Sequence, residues 1–212
     1  MLTDVRAVVF DWDGVIVDTM PLIAEGIREV AKSYRVDVSV ESILATYFQP
    51  KEAFYKSIGI EPEDMEELRR RHANMDAMTR LRSVGDIFAD VRPTLEKLEK
   101  RGTYLAIATQ RENPYISEEI TRLDLSNFFS LKYITGGQDK KEDKLKELAA
   151  RFYVPIGDIL FVGDLPSDIV AAKSAGTRSA GINRQEVGRE RLARENPDVL
   201  LTSLTELPDM LL

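Results

Sequence analysis

RAVVFDWDGVIVDT, residues Arg6–Thr19, is the stretch on which the reading of this chain turns. Five mostly apolar residues run straight into Asp11 and Asp13, two carboxylates separated by one tryptophan, and Gly14 follows. Apolarity without alternation marks a strand covered on both faces, as happens where helices flank a parallel sheet. Two charges at the end of such a strand are costly to bury unless other groups answer them. The stretch therefore predicts a central strand that delivers two acids to one fixed place.

Working outward, four more short apolar runs read as strands: Tyr104–Ala108, Leu131–Ile134, Ile159–Val162 and Ser179–Ile182, with a weaker one at Asp198–Leu201. Helical stripes lie between them, formed by Leu95 and Leu98, then Ile116, Ile120 and Leu123, then Leu145, Leu148, Ala149 and Phe152. Asn113 before Pro114 suits a helix start, Gly102 and Gly176 suit helix ends, and SLTE at Ser203–Glu206 reads as a capping box. Alternating strands and helices argue an α/β fold with a Rossmann-like parallel sheet.

Residues 17–89 break that rhythm. Ile23, Ile27, Val30 and Tyr34 share one helical face, ESILATYF and KEAFYKSI read as short helices, and Met65, Leu68, His72 and Met75 form a longer stripe. The brief VDVSV, Val36–Val40, is the one strand candidate among them. The expected organisation is a core made of residues 1–16 and 90–212, with residues 17–89 inserted as a smaller helical domain.

Composition narrows the function. The 212 residues are 43% hydrophobic and 31% charged with a net charge of −7, which suits a soluble globular protein and not a nucleic-acid binder. The chain has no cysteine, so disulfides, thiol nucleophiles and zinc-thiolate sites are excluded, and a cytoplasmic location fits. No apolar run approaches the roughly 20 residues of a membrane span. The start of the chain lacks the order of a signal peptide, so a soluble, unprocessed protein with no membrane association is expected, and a monomer or homodimer is its expected state. The one histidine, His72, falls on the apolar side of its helical stripe and reads as packed, outside the chemistry.

In an open parallel sheet, ligands bind beyond the carboxyl ends of the strands. Asp11 and Asp13 follow the first strand, Thr109 and Gln110 the second, and GDLPSD, with Asp164 and Asp168, follows Ile159–Val162. Lys140, Lys141 and Lys144 precede that strand by one helix. Crowded carboxylates need a cation, and oxygen-only ligands select a hard one such as Mg²⁺. An aspartate so screened can attack phosphorus, a second carboxyl can exchange the proton, and lysine and threonine can hold phosphoryl oxygens. The set suits transfer of a phosphoryl group from a small phosphorylated metabolite.

These motifs together resemble the haloacid dehalogenase-like hydrolases, in particular their phosphoglycolate phosphatase-like branch with a helical cap. VVFDWDGVIVDT looks like the family's first motif, AIATQ its second, KEDKLKELA its third, and FVGDLPSDIVAAKSAG its fourth. The resemblance implies a nucleophile at Asp11 and a general acid and base at Asp13. It further implies phosphoryl binding by Thr109, with Gln110 beside it, and by a lysine, Lys141 ahead of Lys140. Mg²⁺ would be held by Asp11, the backbone carbonyl of Asp13, Asp164 and, through water, Asp168. Residues 17–89 would be the cap; within it Lys51, a lysine at a helix start in YFQPKEAF, is the residue expected to reach the leaving group. Three features depart from the pattern: Gln110 where asparagine is usual, the absence of Lys-Pro-x-Pro, and the bulky Trp12 between the acids, expected to pack beneath the loop. A phosphosugar mutase would use the same motifs, and a non-catalytic small-molecule-binding protein could use the same scaffold.

Overall fold

The computed structural model describes residues 2–48, 51–61, 66–71, 87–111, 113–129, 134–136 and 139–211. Six strands, β1 (Ala7–Phe10), β2 (Tyr104–Ala108), β3 (Ile134–Thr135), β4 (Ile159–Gly163), β5 (Arg178–Ile182) and β6 (Val199–Leu201), form one sheet in the order β3-β2-β1-β4-β5-β6. Every pairing is parallel, with Val8 opposite Leu105 on one side and Leu160 on the other. The expected runs therefore pair as read, except that Leu131–Tyr133 lie outside the described residues.

The unbroken apolar runs have a simple cause. Val8, Phe10, Leu105, Ile107, Leu160 and Val162 face one core with Leu95, Leu98, Ile116 and Ile120, while Ala7, Val9, Ala106, Ala108, Ile159 and Phe161 face a second core with Leu145, Leu148 and Phe152. Both faces of each central strand are covered, so neither set of alternating positions can be polar. The helices responsible are Val91–Lys100 and Asn113–Arg122 on the first face and Lys141–Phe152 on the second, where Ala172 and Ala175 of helix Pro166–Ala175 join them. Gly176 ends that last helix in the left-handed conformation, with φ +86°. Ser203 and Glu206 form the capping box read from the sequence.

The chain divides into two compact units, Met1–Val17 with Ile87–Leu212, and Asp18–Asp86. Helices Met20–Ser33, Val40–Thr46 and Lys51–Ser57, with the helical residues 66–71, belong to the smaller unit, and none of its described residues is in a strand. Ala24, Ile27, Val30 and Ala31 are the buried stripe of the first helix. Phe54 packs edge-on against Tyr47, with ring centroids 5.2 Å apart. The strand expected at VDVSV does not form: the Ser39 hydroxyl accepts the Ser42 N–H, and this cap commits Val40 to a helix. Met65, His72 and Met75 lie outside the described residues, so the expected packing of His72 falls there too.

Candidate active site

Sequence order and sheet order part company at β1. The chain moves outward from β1 to β2 and β3, then returns to the other side of β1 with β4, β5 and β6. Such a switch leaves a crevice beyond the carboxyl ends of β1 and β4, because the connections on either side leave in opposite directions. Asp11 stands directly after β1, and its N–H donates to Val162 O at 2.9 Å, so the β1–β4 ladder carries it into the crevice. Asp164 follows β4, and Thr109 follows β2 with its N–H on Thr135 O at 3.0 Å.

Three carboxylates converge there. Asp11, Asp164 and Asp168 each offer an oxygen within 4.8 Å of the other two, and all three residues are buried. Lys141, the first residue of helix Lys141–Phe152, donates to Asp11 Oδ2 at 2.5 Å and to Asp168 Oδ1. Lys140 points elsewhere, with its side chain 77% exposed and 4.0 Å from Glu142. The other oxygens of Asp11 and Asp168 accept the N–H groups of Trp12 and Leu165, at 2.8 and 3.0 Å. Burial holds these acids in place at a cost of several kcal/mol per ion. Val8, Val9 and Phe10, at about 2 kcal/mol of apolar burial each, offset much of that for Asp11.

The electrostatics follow from the geometry. Burial pushes the Asp11 carboxyl up to about 6, with Asp168 and Asp13 adding to the rise and Lys141 opposing it. Burial, then Asp168 and Asp11, push Asp164 well above the usual carboxylate range. Opposite charges drive Lys141 above its ordinary value in spite of burial, so it is an ammonium at any working pH. Lys144 goes the other way: burial, followed by the neighbouring Lys141, lowers it to about 8 while its Nζ donates to Thr109 O at 2.6 Å. These upward shifts mark crowded carboxylates that one ammonium does not fully answer, and such an all-oxygen donor set suits a hard divalent cation, which would favour their ionised forms.

Two glycines make the convergence possible. Gly14 has φ +74°, and a Cβ there would stand 2.3 Å from Asp164 Oδ2; at Gly163 a Cβ would meet Asp168 Cβ at 2.2 Å. Gly14→Ala is expected to destabilise the fold by about 2 kcal/mol or more, the sum of backbone strain and a steric overlap that only movement of Asp164 relieves. Thermal or urea unfolding measures it, and an unchanged midpoint contradicts the close approach.

Thr109 is buried, and its Oγ1 accepts the Arg111 N–H at 3.2 Å. Gln110 is exposed. Asp13 is directed to Arg111, which donates from Nε and Nη2 to both its oxygens at 2.9 and 2.6 Å, and its side chain is not one of the three clustered carboxylates. Lys51 opens helix Lys51–Ser57 of the smaller unit. Trp12 is fully buried among core residues, as expected, and its indole N–H also donates to Glu119. Reading the sequence missed Arg111 and Glu119. Arg111 stands two residues beyond Thr109, a proximity that could have flagged it, whereas Glu119 carries no signal apart from helix phase.

Comparison with known proteins fits this arrangement. The family model described as haloacid dehalogenase-like hydrolase matches residues 8–182. The phosphoglycolate phosphatase of Photorhabdus laumondii subsp. laumondii is 30% identical over 98% of this chain and 92% of its own, and that of Pectobacterium atrosepticum 29% over 97% and 92%. In fold, a haloacid dehalogenase-like family hydrolase from Streptococcus pneumoniae aligns with a TM-score of 0.81 at 18% identity, covering 96% of this chain and 97% of its own. A predicted phosphoglycolate phosphatase from Haemophilus somnus 129pt aligns with a TM-score of 0.78 at 21% identity, covering 99% of each chain. The match spans β1 to the end of β5, the segment that carries every strand-end residue described above, and the chain belongs to the haloacid dehalogenase-like hydrolases.

Proposed function

We propose that this hydrolase releases phosphate from a small phosphomonoester through an aspartyl-phosphate on Asp11. Membership of the family and the near full-length likeness to phosphoglycolate phosphatases make it a phosphoric monoester hydrolase. The observation that carries the mechanism is the contact of Lys141 with both Asp11 and Asp168 inside a buried triangle of carboxylates at the strand-order switch. A buried carboxylate fixed at a strand end, beside a permanent ammonium, is oriented for attack on phosphorus.

Asp11 attacks the phosphoryl group, and Asp13 protonates the departing oxygen. Asp13 then takes a proton from the water that cleaves the acyl phosphate, which restores Asp11. Thr109 donates its hydroxyl to a phosphoryl oxygen and Lys141 supplies positive charge. Asp11, Asp164 and Asp168, with the carbonyl of Asp13, are the groups that would hold Mg²⁺, which when bound neutralises their excess charge and that of the phosphoryl oxygens. Asp13 distinguishes this chemistry from carbon–halogen cleavage, where no alkoxide needs a proton.

Phosphoglycolate is the leading substrate because the curated relatives bear that name, and small sugar phosphates come next. We assign specificity to the helical unit as a cap, with Lys51 as the residue to vary. No helix among the described residues is long and apolar enough to cross a membrane, and a soluble metabolite is the natural substrate class. The test is phosphate release from a panel of small phosphorylated metabolites, compared by kcat/KM, with chromatography of sugar phosphates to detect mutase products. A chelator should abolish turnover, Mg²⁺ restore it and Ca²⁺ restore it poorly, since the larger ion tolerates looser coordination. Activity untouched by chelation removes the metal; phosphoglycolate ranking well below sugar phosphates or nucleotides removes the substrate. An unchanged ranking in Lys51→Ala removes the assignment of that lysine.

A further inference from the structure

Beside the carboxylate triangle lies a second polar cluster that the phosphatase motifs do not account for. Arg111 forks onto Asp13, with Nε and Nη2 on separate carboxylate oxygens, and donates from Nη1 to Glu119 Oε1 at 2.6 Å. The other oxygen of Glu119, Oε2, accepts the indole N–H of Trp12 at 2.6 Å. Trp12 is the neighbour of Asp13 in the chain and is wholly buried. The contacts thus close a ring: Asp13, Arg111, Glu119, Trp12 and back to Asp13 through the peptide bond.

The ring has the properties of a positioning device. A planar guanidinium on both oxygens of a carboxylate fixes the direction and the plane of that group, which a lysine contact does not. The arginine gives up considerable rotamer freedom to do this, and Glu119 restrains it from the far side. Glu119 is itself anchored by an indole that the core holds rigid. The side chains of Arg111, Glu119 and Asp13 are only 10%, 15% and 26% exposed, so solvent screens their pairing less than on an open surface. The brace fixes where Asp13 stands as it gives its proton to the leaving oxygen and regains one from the attacking water. Arg111 also donates its backbone N–H to Thr109 Oγ1, which ties the same residue to the phosphoryl-binding threonine.

We propose that Arg111, braced by Glu119 and Trp12, is the positioning residue that presents Asp13 to the leaving-group oxygen. This rests on the phosphatase reading, since it acts through the proton transfer assigned to Asp13. It also gives Trp12, a departure from the family's pattern, a role: its indole N–H holds the brace.

Leaving-group dependence tests the proposal. Wild type, Arg111→Met, Arg111→Lys, Trp12→Phe and the double variant Trp12→Phe with Arg111→Met are assayed with Mg²⁺ on phosphoglycolate, whose alkoxide needs a proton, and on p-nitrophenyl phosphate, whose phenolate scarcely does. Arg111→Met should lose about tenfold more kcat on phosphoglycolate than on the aryl ester, with KM moving less than about threefold. Arg111→Lys should recover part of that excess. Trp12→Phe, which keeps a buried ring and deletes the N–H, should shift the ratio in the same direction by a smaller factor. The double variant should lose no more than Arg111→Met alone, because the two side chains act in series.

Equal losses on both esters overturn the proposal, as do losses that multiply in the double variant. A change confined to KM overturns it too, because Arg111 would then be binding substrate directly. If Arg111→Met does not fold, Arg111→Lys and Trp12→Phe decide by the same ratio. A wild-type protein that hydrolyses neither ester removes the phosphatase reading and the proposal with it, whereas an active wild type with equal losses removes the proposal alone.

Discussion

Asp11→Asn is expected to lower kcat for phosphate release by at least ~10⁴-fold on every ester, because an amide cannot form the acyl phosphate on which both half-reactions depend. The same substitution should leave the fold at least as stable. Asparagine keeps the shape and an oxygen that can accept from Lys141, while the charge it removes is one that burial already disfavours. Loss of turnover with an unchanged or raised unfolding midpoint is therefore the signature, read by steady-state kinetics and thermal unfolding on one preparation. Substantial residual turnover contradicts the nucleophile; a large fall in stability shows that the carboxylate serves the fold as well.

Lys141→Met should harm both properties. The ammonium is the contact that Asp11 and Asp168 share, and deleting one partner of a buried ion pair costs about 3–5 kcal/mol because the other is left unpaired. A further loss in kcat of roughly 10²–10³-fold is expected from the missing charge at the phosphoryl oxygens. The stability cost depends on pH in a defined direction. In the metal-free protein Asp11 rises from 3.8 to about 6 on folding, so the folded state binds its proton more tightly than the unfolded state and stability falls as pH rises from about 4 to about 6. Without Lys141 the rise is larger, and the window of falling stability extends to higher pH. Urea unfolding in chelator at several pH values should show the variant closest to wild type in acid and furthest from it at neutral pH. A deficit constant across pH contradicts the electrostatic origin.

Much of this could be read from the sequence because the physics is local. β1, β2 and β4 are largely apolar runs because both faces are covered, whereas β5 opens on Arg178 and a buried Ser179 before its apolar residues; the strand-end acids follow by counting onward. The choice among Lys140, Lys141 and Lys144 was less legible. Helix phase decides it: Lys141 reaches the carboxylates, Lys144 reaches the carbonyl of Thr109, and Lys140 faces solvent. The Asp13–Arg111 and Trp12–Glu119 contacts were invisible because their partners are 98 and 107 residues apart, and no periodicity links them. VDVSV misled because its alternation is that of a strand, while the Ser39 cap that overrules it is a single hydrogen bond.

The two points where the chain leaves the core after Val17 and returns to it at Ile87 govern how the chain can vary. Val17 and Ile87, where the smaller unit departs from the core and returns to it, are joined by an antiparallel bridge, and Phe88 N–H donates to Ile16 O at 3.1 Å. Arg184 braces the same junction by donating to Asp90 at 2.8 Å and to the carbonyl of Gly14 at 3.2 Å, with its guanidinium 3.4 Å from the Phe88 ring centroid. The core therefore meets the insertion as it would meet a hairpin loop, with its two ends already side by side. For a flexible connection, closure entropy grows only with the logarithm of length, about 0.6 kcal/mol for each doubling. By that scaling, 69 residues in place of a turn of about four cost only about 2.5 kcal/mol, so the insert can change in length with limited demand on the strands that hold Asp11 and Asp164.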